Sequence, residues 1–133
     1  MNAIRPLRIL GLDPGLRKTA AQFSSDAAKR HYEADAPRGG ETIGRAQVGY
    51  TMNVLEIANL SDVQWENVEI WVNQQYVVFV PKFEAGKLRS INFQMLYNDK
   101  GEYFPLDNSK VLISKVEIMQ DGKMYEIPVH AAL

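Results

Sequence analysis

The stretch that most constrains this chain is 67–81, Asn-Val-Glu-Ile-Trp-Val-Asn-Gln-Gln-Tyr-Val-Val-Phe-Val-Pro. β-Branched and aromatic residues fill both halves, and a polar Asn73-Gln74-Gln75 break divides them. Side chains of this kind lose rotamer freedom in a helix and fit a pleated surface, so the run reads as a β-hairpin. In its first arm Val68, Ile70 and Val72 share one face, and Glu69 and Trp71 the other. The second arm, 76–80, is continuously apolar, which calls for cover on both faces. Pro81 has no N–H for a ladder and is expected to end the strand.

A second hairpin is marked by Asp121-Gly122, a favoured pair for a two-residue type I′ turn. That turn pairs Met119 with Met124, Ile118 with Tyr125 and Val116 with Ile127. Val116, Ile118, Tyr125 and Ile127 then form the buried face, and a one-residue slip would scatter them. Glu117 falls opposite Glu126 on the wet face, with Lys115 diagonal to it. Between the hairpins, Ile91, Phe93, Met95 and Tyr97 alternate with Asn92 and Gln94, as a half-buried strand would. Residues 84–87 form a turn. Asn98-Asp99-Lys100-Gly101 fits a type I turn followed by a left-handed glycine. Glu102-Tyr103-Phe104 returns and Pro105 stops it, leaving 105–109 as a loop. Upstream, apolar parity switches within 48–59, which predicts a bulge near Val54 or two short strands.

Turn signals roughly every ten residues and about seven strands predict an all-β fold, an immunoglobulin-like antiparallel β-sandwich over 45–133. Residues 1–44 read as an N-terminal tail. Asp13-Pro14 suits the start of a helix over about 16–34, with Leu16, Ala20, Phe23 and Ala27 as a narrow apolar stripe. Ala36-Pro37-Arg38-Gly39-Gly40-Glu41 reads as a Pro/Gly linker between helix and sandwich.

Composition bounds the function classes. The chain has 133 residues, is 46% hydrophobic and 23% charged, and carries a net charge of −1, so nothing in its charge predicts nucleic acid as a partner. With no cysteine, disulfides, thiolate catalysis and cysteine zinc sites are excluded. No apolar run approaches the roughly 20 residues of a membrane span. The apolar patch near the N-terminus is shorter than the roughly 7–15 residues of a signal-peptide core. His31 and His130 are far apart and lack ligand spacing; no metal, cofactor or catalytic set is predicted. Asn59-Leu60-Ser61 matches a glycosylation sequon. Trp65, Trp71 and Tyr76 are the candidate contact residues for a ligand or protein partner, either as an aromatic platform or as hairpin core. Loops 60–67 and 105–109 are the candidate recognition loops.

Two resemblances bear on function. Arg8-Ile9-Leu10-Gly11-Leu12-Asp13-Pro14-Gly15-Leu16-Arg17-Lys18-Thr19 resembles the opening strand of crossover-junction endodeoxyribonucleases of RNase H-like fold. It implies Asp13 as one of several carboxylates holding two divalent metals. The match ends at Thr19 without the further acidic residues of that family, and Asp13 reads as a helix cap. The second covers most of the chain. Tyr32-Glu33-Ala34-Asp35-Ala36-Pro37-Arg38-Gly39-Gly40, Arg45-Ala46-Gln47-Val48-Gly49-Tyr50, Glu56-Ile57-Ala58-Asn59-Leu60-Ser61, Trp71-Val72-Asn73-Gln74-Gln75-Tyr76-Val77-Val78-Phe79-Val80-Pro81-Lys82 and Asp121-Gly122-Lys123-Met124-Tyr125 resemble a group of uncharacterised small bacterial envelope lipoproteins. The resemblance implies a β-domain at the cell envelope or periplasm, with an envelope component or protein as partner. In that group a lipidated cysteine precedes the Asp-Pro-Gly; here Leu12 stands in its place. The expectation is a non-enzymatic binding or structural module, the alternative a metal-dependent endonuclease centred on Asp13.

Overall fold

A computed structural model describes residues 19–41, 44–106 and 111–131. These residues form a mostly β structure of two sheets with one α-helix, α1 (Ala20–Ala28). Nine strands follow: β1 (Arg38–Glu41), β2 (Gly44–Gly49), β3 (Val54–Asn59), β4 (Trp65–Val72), β5 (Tyr76–Phe83), β6 (Leu88–Asn92), β7 (Val116–Gln120), β8 (Lys123–Ile127) and β9 (Val129–Ala131). The larger sheet runs β1-β8-β7-β4-β5 and the smaller β6-β3-β2-β9. Their inner faces close on one core, with Leu55, Ile57 and Val48 on one side and Val68, Ile70, Val72 and Ile118 on the other. Packing sheet on sheet through alternating apolar residues makes this a β-sandwich.

Both hairpins form where the sequence places them. The β7–β8 register is Val116↔Ile127, Ile118↔Tyr125 and Met119↔Met124, with Asp121 and Gly122 at φ 51° and 78°. The β4–β5 pair lies next to β7, and both faces of β5 are covered at Val77 and Val78. The 48–59 region resolves into two strands, β2 and β3, joined by a turn with Asn53 at φ 57°. Gly101 takes the left-handed conformation (φ 78°).

Several expectations give way to tertiary structure. Arg38–Glu41 is a strand, not a linker; β1 pairs parallel with β8, and β2 pairs parallel with β9, so the sheets are not wholly antiparallel. Helix α1 ends at Ala28 rather than near 34. Beyond it, Arg30 and Tyr32 leave the helical path to bond to the larger sheet. Thr19 is its N-cap, in a capping box with Gln22; Asp13 and Leu16 lie outside the described residues. Strand β5 runs through Pro81, because β5 is a sheet edge where a missing N–H is tolerated. The alternating run 91–97 is strand only to Asn92. Phe93–Met95 is a 3-10 turn capped by the Asn92 side chain, and Phe93, Met95, Leu96 and Tyr97 are all buried. Glu117, expected on the wet face, is buried, since residues 30–38 cover that face.

Candidate functional site

The outer face of the larger sheet carries Glu69 and Trp71 on β4, Phe79 on β5 and Glu117 on β7, as the strand parity requires. Such a face is normally wet. Here α1 packs on β5 with Phe23 and Ala27 buried, and the chain from Arg30 to Arg38 crosses the sheet. Arg30 bonds Asp26 (3.0 Å) and Glu69 (2.8 Å), with its guanidinium 4.1 Å from the Phe79 ring centre. Burial works against its charge, but the hydrogen bonds to Asp26 and Glu69 prevail and raise its pKa above the ordinary arginine value. Trp71 Nε1 donates to Glu69 (3.0 Å), and the Tyr32 ring meets Trp71 edge-on at 5.5 Å. The Tyr32 hydroxyl donates to the Glu117 carboxylate (2.9 and 3.0 Å), which also accepts from Arg38 (2.8 Å). Each buried charge therefore has an opposite charge and hydrogen bonds, the condition for leaving water.

Beside this clasp, at the end of the sheet where β4 turns into β5, lies a cleft of about 390 Å³. Its floor is apolar: Trp71, Val77 and Tyr97, each almost fully buried. Burial also pushes the Tyr97 phenol above its usual 10.0. Its rim is polar, with His31 from the clasp, Gln74 and Gln75 from the hairpin turn, and Asp99 and Lys100 from the following turn. The hairpin turn is held firmly. Asn73 Oδ1 accepts from the Ser114 and Lys115 amides (2.8 and 3.2 Å), and its Nδ2 donates to the Leu112 carbonyl (2.9 Å). Asn73 and Gln74 both have positive φ, 52° and 60°. Asn tolerates this conformation; Gln at the second place, where such turns prefer Gly, is strained.

Of the aromatic candidates, only Trp71 reaches the cleft. Trp65 is buried against Phe83 (4.9 Å between ring centres). Tyr76, opposite Val72 on the inner face, packs on Phe104 (5.1 Å). The loop 60–64, which precedes β4, is at the opposite end from the 73–75 turn, and 107–110 lie outside the described residues. His130 sits on the smaller sheet with Arg45 and Glu56, away from His31. Asn59 of the sequon is fully buried, its amide donating to the Val63 and Phe83 carbonyls (2.9 and 3.1 Å), so it is structural. Among the described residues no cluster of three metal-ligating side chains occurs, and no helix is long and apolar enough to cross a membrane. As site residues Gln74, Gln75, Asp99 and Lys100 escaped the sequence reading; the one signal was Gln74, a non-glycine residue following Asn73 in the turn, and nothing local marked Asp99 and Lys100. No protein-family model, curated protein or solved structure matches the chain.

Proposed function

We propose that this chain is a non-enzymatic binding module of immunoglobulin-like type that works at the bacterial cell envelope and takes its ligand in the cleft beside Trp71. The strand order supports the immunoglobulin-like reading: β8-β7-β4-β5 faces β2-β3-β6, the arrangement G-F-C-C′ against A-B-E. The envelope address rests on the sequence resemblance. The observation that carries the binding reading is Gln74, a strained residue whose side chain lines a polar cleft on a rigid turn. Strain of about 1–3 kcal/mol per residue persists where the surroundings impose it, and ligand clamps are where it gathers.

The test is an amide-resolved NMR titration of the full chain with soluble envelope glycan fragments and short peptides, alongside cell fractionation of the native protein. Binding predicts shifts confined to the 73–75 and 97–100 turns and the Trp71 indole, with recovery in the envelope fraction. Magnesium-dependent cleavage of branched DNA, abolished by Asp13→Asn, would establish the nuclease alternative instead.

A further inference from the structure

We infer that the cleft recognises an uncharged, polyhydroxylated ligand, a small neutral saccharide; this rests on the reading of the cleft as the binding site. The charges around it are already matched within the protein. Arg30 is held by Asp26 and Glu69, and Glu117 by Arg38 and Tyr32. On the rim, Asp99 and Lys100 are adjacent and opposite in sign. Asp26, Glu69 and Glu117 all face arginines, and Asp99 and Lys100 offset each other in sign, so the cleft holds no run of like charge to select an anion or a cation.

What remains is hydrogen-bonding capacity of both senses. Asn98 is used up internally: its Nδ2 donates to Glu102 (3.1 Å) and its Oδ1 accepts from the Lys100 and Glu102 amides (2.9 and 3.0 Å). The side chains of His31, Gln74, Gln75, Asp99 and Lys100 are exposed and make no hydrogen bond or ion pair among the described residues. Carboxamides donate and accept, the carboxylate accepts, and the ammonium donates. A sugar hydroxyl both donates and accepts, so one ring of hydroxyls satisfies such a rim. The floor residues Trp71, Val77 and Tyr97 are almost fully buried, so contact with a pyranose falls chiefly to the polar rim. The volume, about 390 Å³, lies at the small end of the roughly 300–1,000 Å³ of small-molecule sites.

The experiment titrates the full chain with cellobiose, N,N′-diacetylchitobiose, digalacturonic acid and a neutral tripeptide, read by NMR and calorimetry at about 0.05 and about 0.5 M salt. The expected result is that a neutral disaccharide binds, shifts the Trp71 indole and the two rim turns, and changes affinity by less than about twofold with salt. Gln75→Ala and Asp99→Ala are each expected to weaken it by about fivefold or more, the worth of one lost hydrogen bond. Gln74→Gly is expected to weaken binding while leaving thermal stability unchanged or higher, which separates a ligand role from a folding role. Tighter binding of digalacturonic acid or the peptide in the same cleft, or affinity that falls steeply with salt, overturns the saccharide inference and leaves the binding-module reading standing. If no probe moves the cleft resonances, both fall.

Discussion

Removing the Tyr32 hydroxyl tests whether residues 30–38 are part of the folded unit or a tether. In Tyr32→Phe the ring keeps its edge contact with Trp71, but the Glu117 carboxylate loses its donor at 2.9 and 3.0 Å. The Glu117 side chain is 3% exposed, so water is a poor replacement for that donor and Arg38 is left to hold the carboxylate. Hydrogen bonds to charged groups contribute about 1.5–3 kcal/mol, and the partial exposure of Tyr32 places the expected loss near 2 kcal/mol. With a urea slope of about 2 kcal/mol per molar for a chain of this size, the unfolding midpoint should fall by about 1 M. A double-mutant cycle with Glu117→Gln should return a coupling of about 1 kcal/mol or more, since the two residues share one bond. A coupling near zero, with the Tyr32→Phe midpoint within about 0.2 M of the parent, would show that the strap does not hold the sheet.

Three further outcomes are expected. Asn59→Ala removes a buried amide that also accepts from Ser61 (3.0 and 2.6 Å) and should cost about 2–4 kcal/mol in denaturant unfolding; the parent made in a eukaryotic secretory host should show no glycan mass at Asn59. Gly39→Ala should lower the melting temperature, because a Cβ there collides with the Tyr125 ring where β1 meets β8, whereas Gly122→Asn should be milder, a left-handed turn position open to solvent. Tyr97 titrates above its usual 10.0, through burial and then the Tyr103 charge. The unfolded chain thus gives up this proton first, so the stability it confers is complete below about pH 10 and is lost as pH rises toward the folded pKa. Melting scans from about pH 8 to about pH 11 should show a shallower alkaline fall for Tyr97→Phe; an unchanged fall would refute the assignment.

Much of the fold was legible where the information is local. Asp121-Gly122 set the β7–β8 register, Gly101 its left-handed turn, and the Asn73-Gln74-Gln75 break the central hairpin. In each case a few adjacent residues decide the backbone, and the sheet pattern follows with period two. The strand-like 91–97 failed because a 3-10 turn can bury the same alternating side chains. The Pro/Gly stretch 36–41 failed because strand pairing depends on a partner, and β8 lies more than eighty residues away.

The same division holds for the site. The sequence alone settled which residues carry charge, where the two hairpins turn and that no thiol chemistry is present. It took the tertiary structure to bury Glu117 under Tyr32 and Arg38, separations of 85 and 79 residues, and to bring the 97–100 turn beside the 73–75 turn. A hydrogen bond or a cleft wall depends on distance in space, and only closing the sandwich core brings such distant segments within reach.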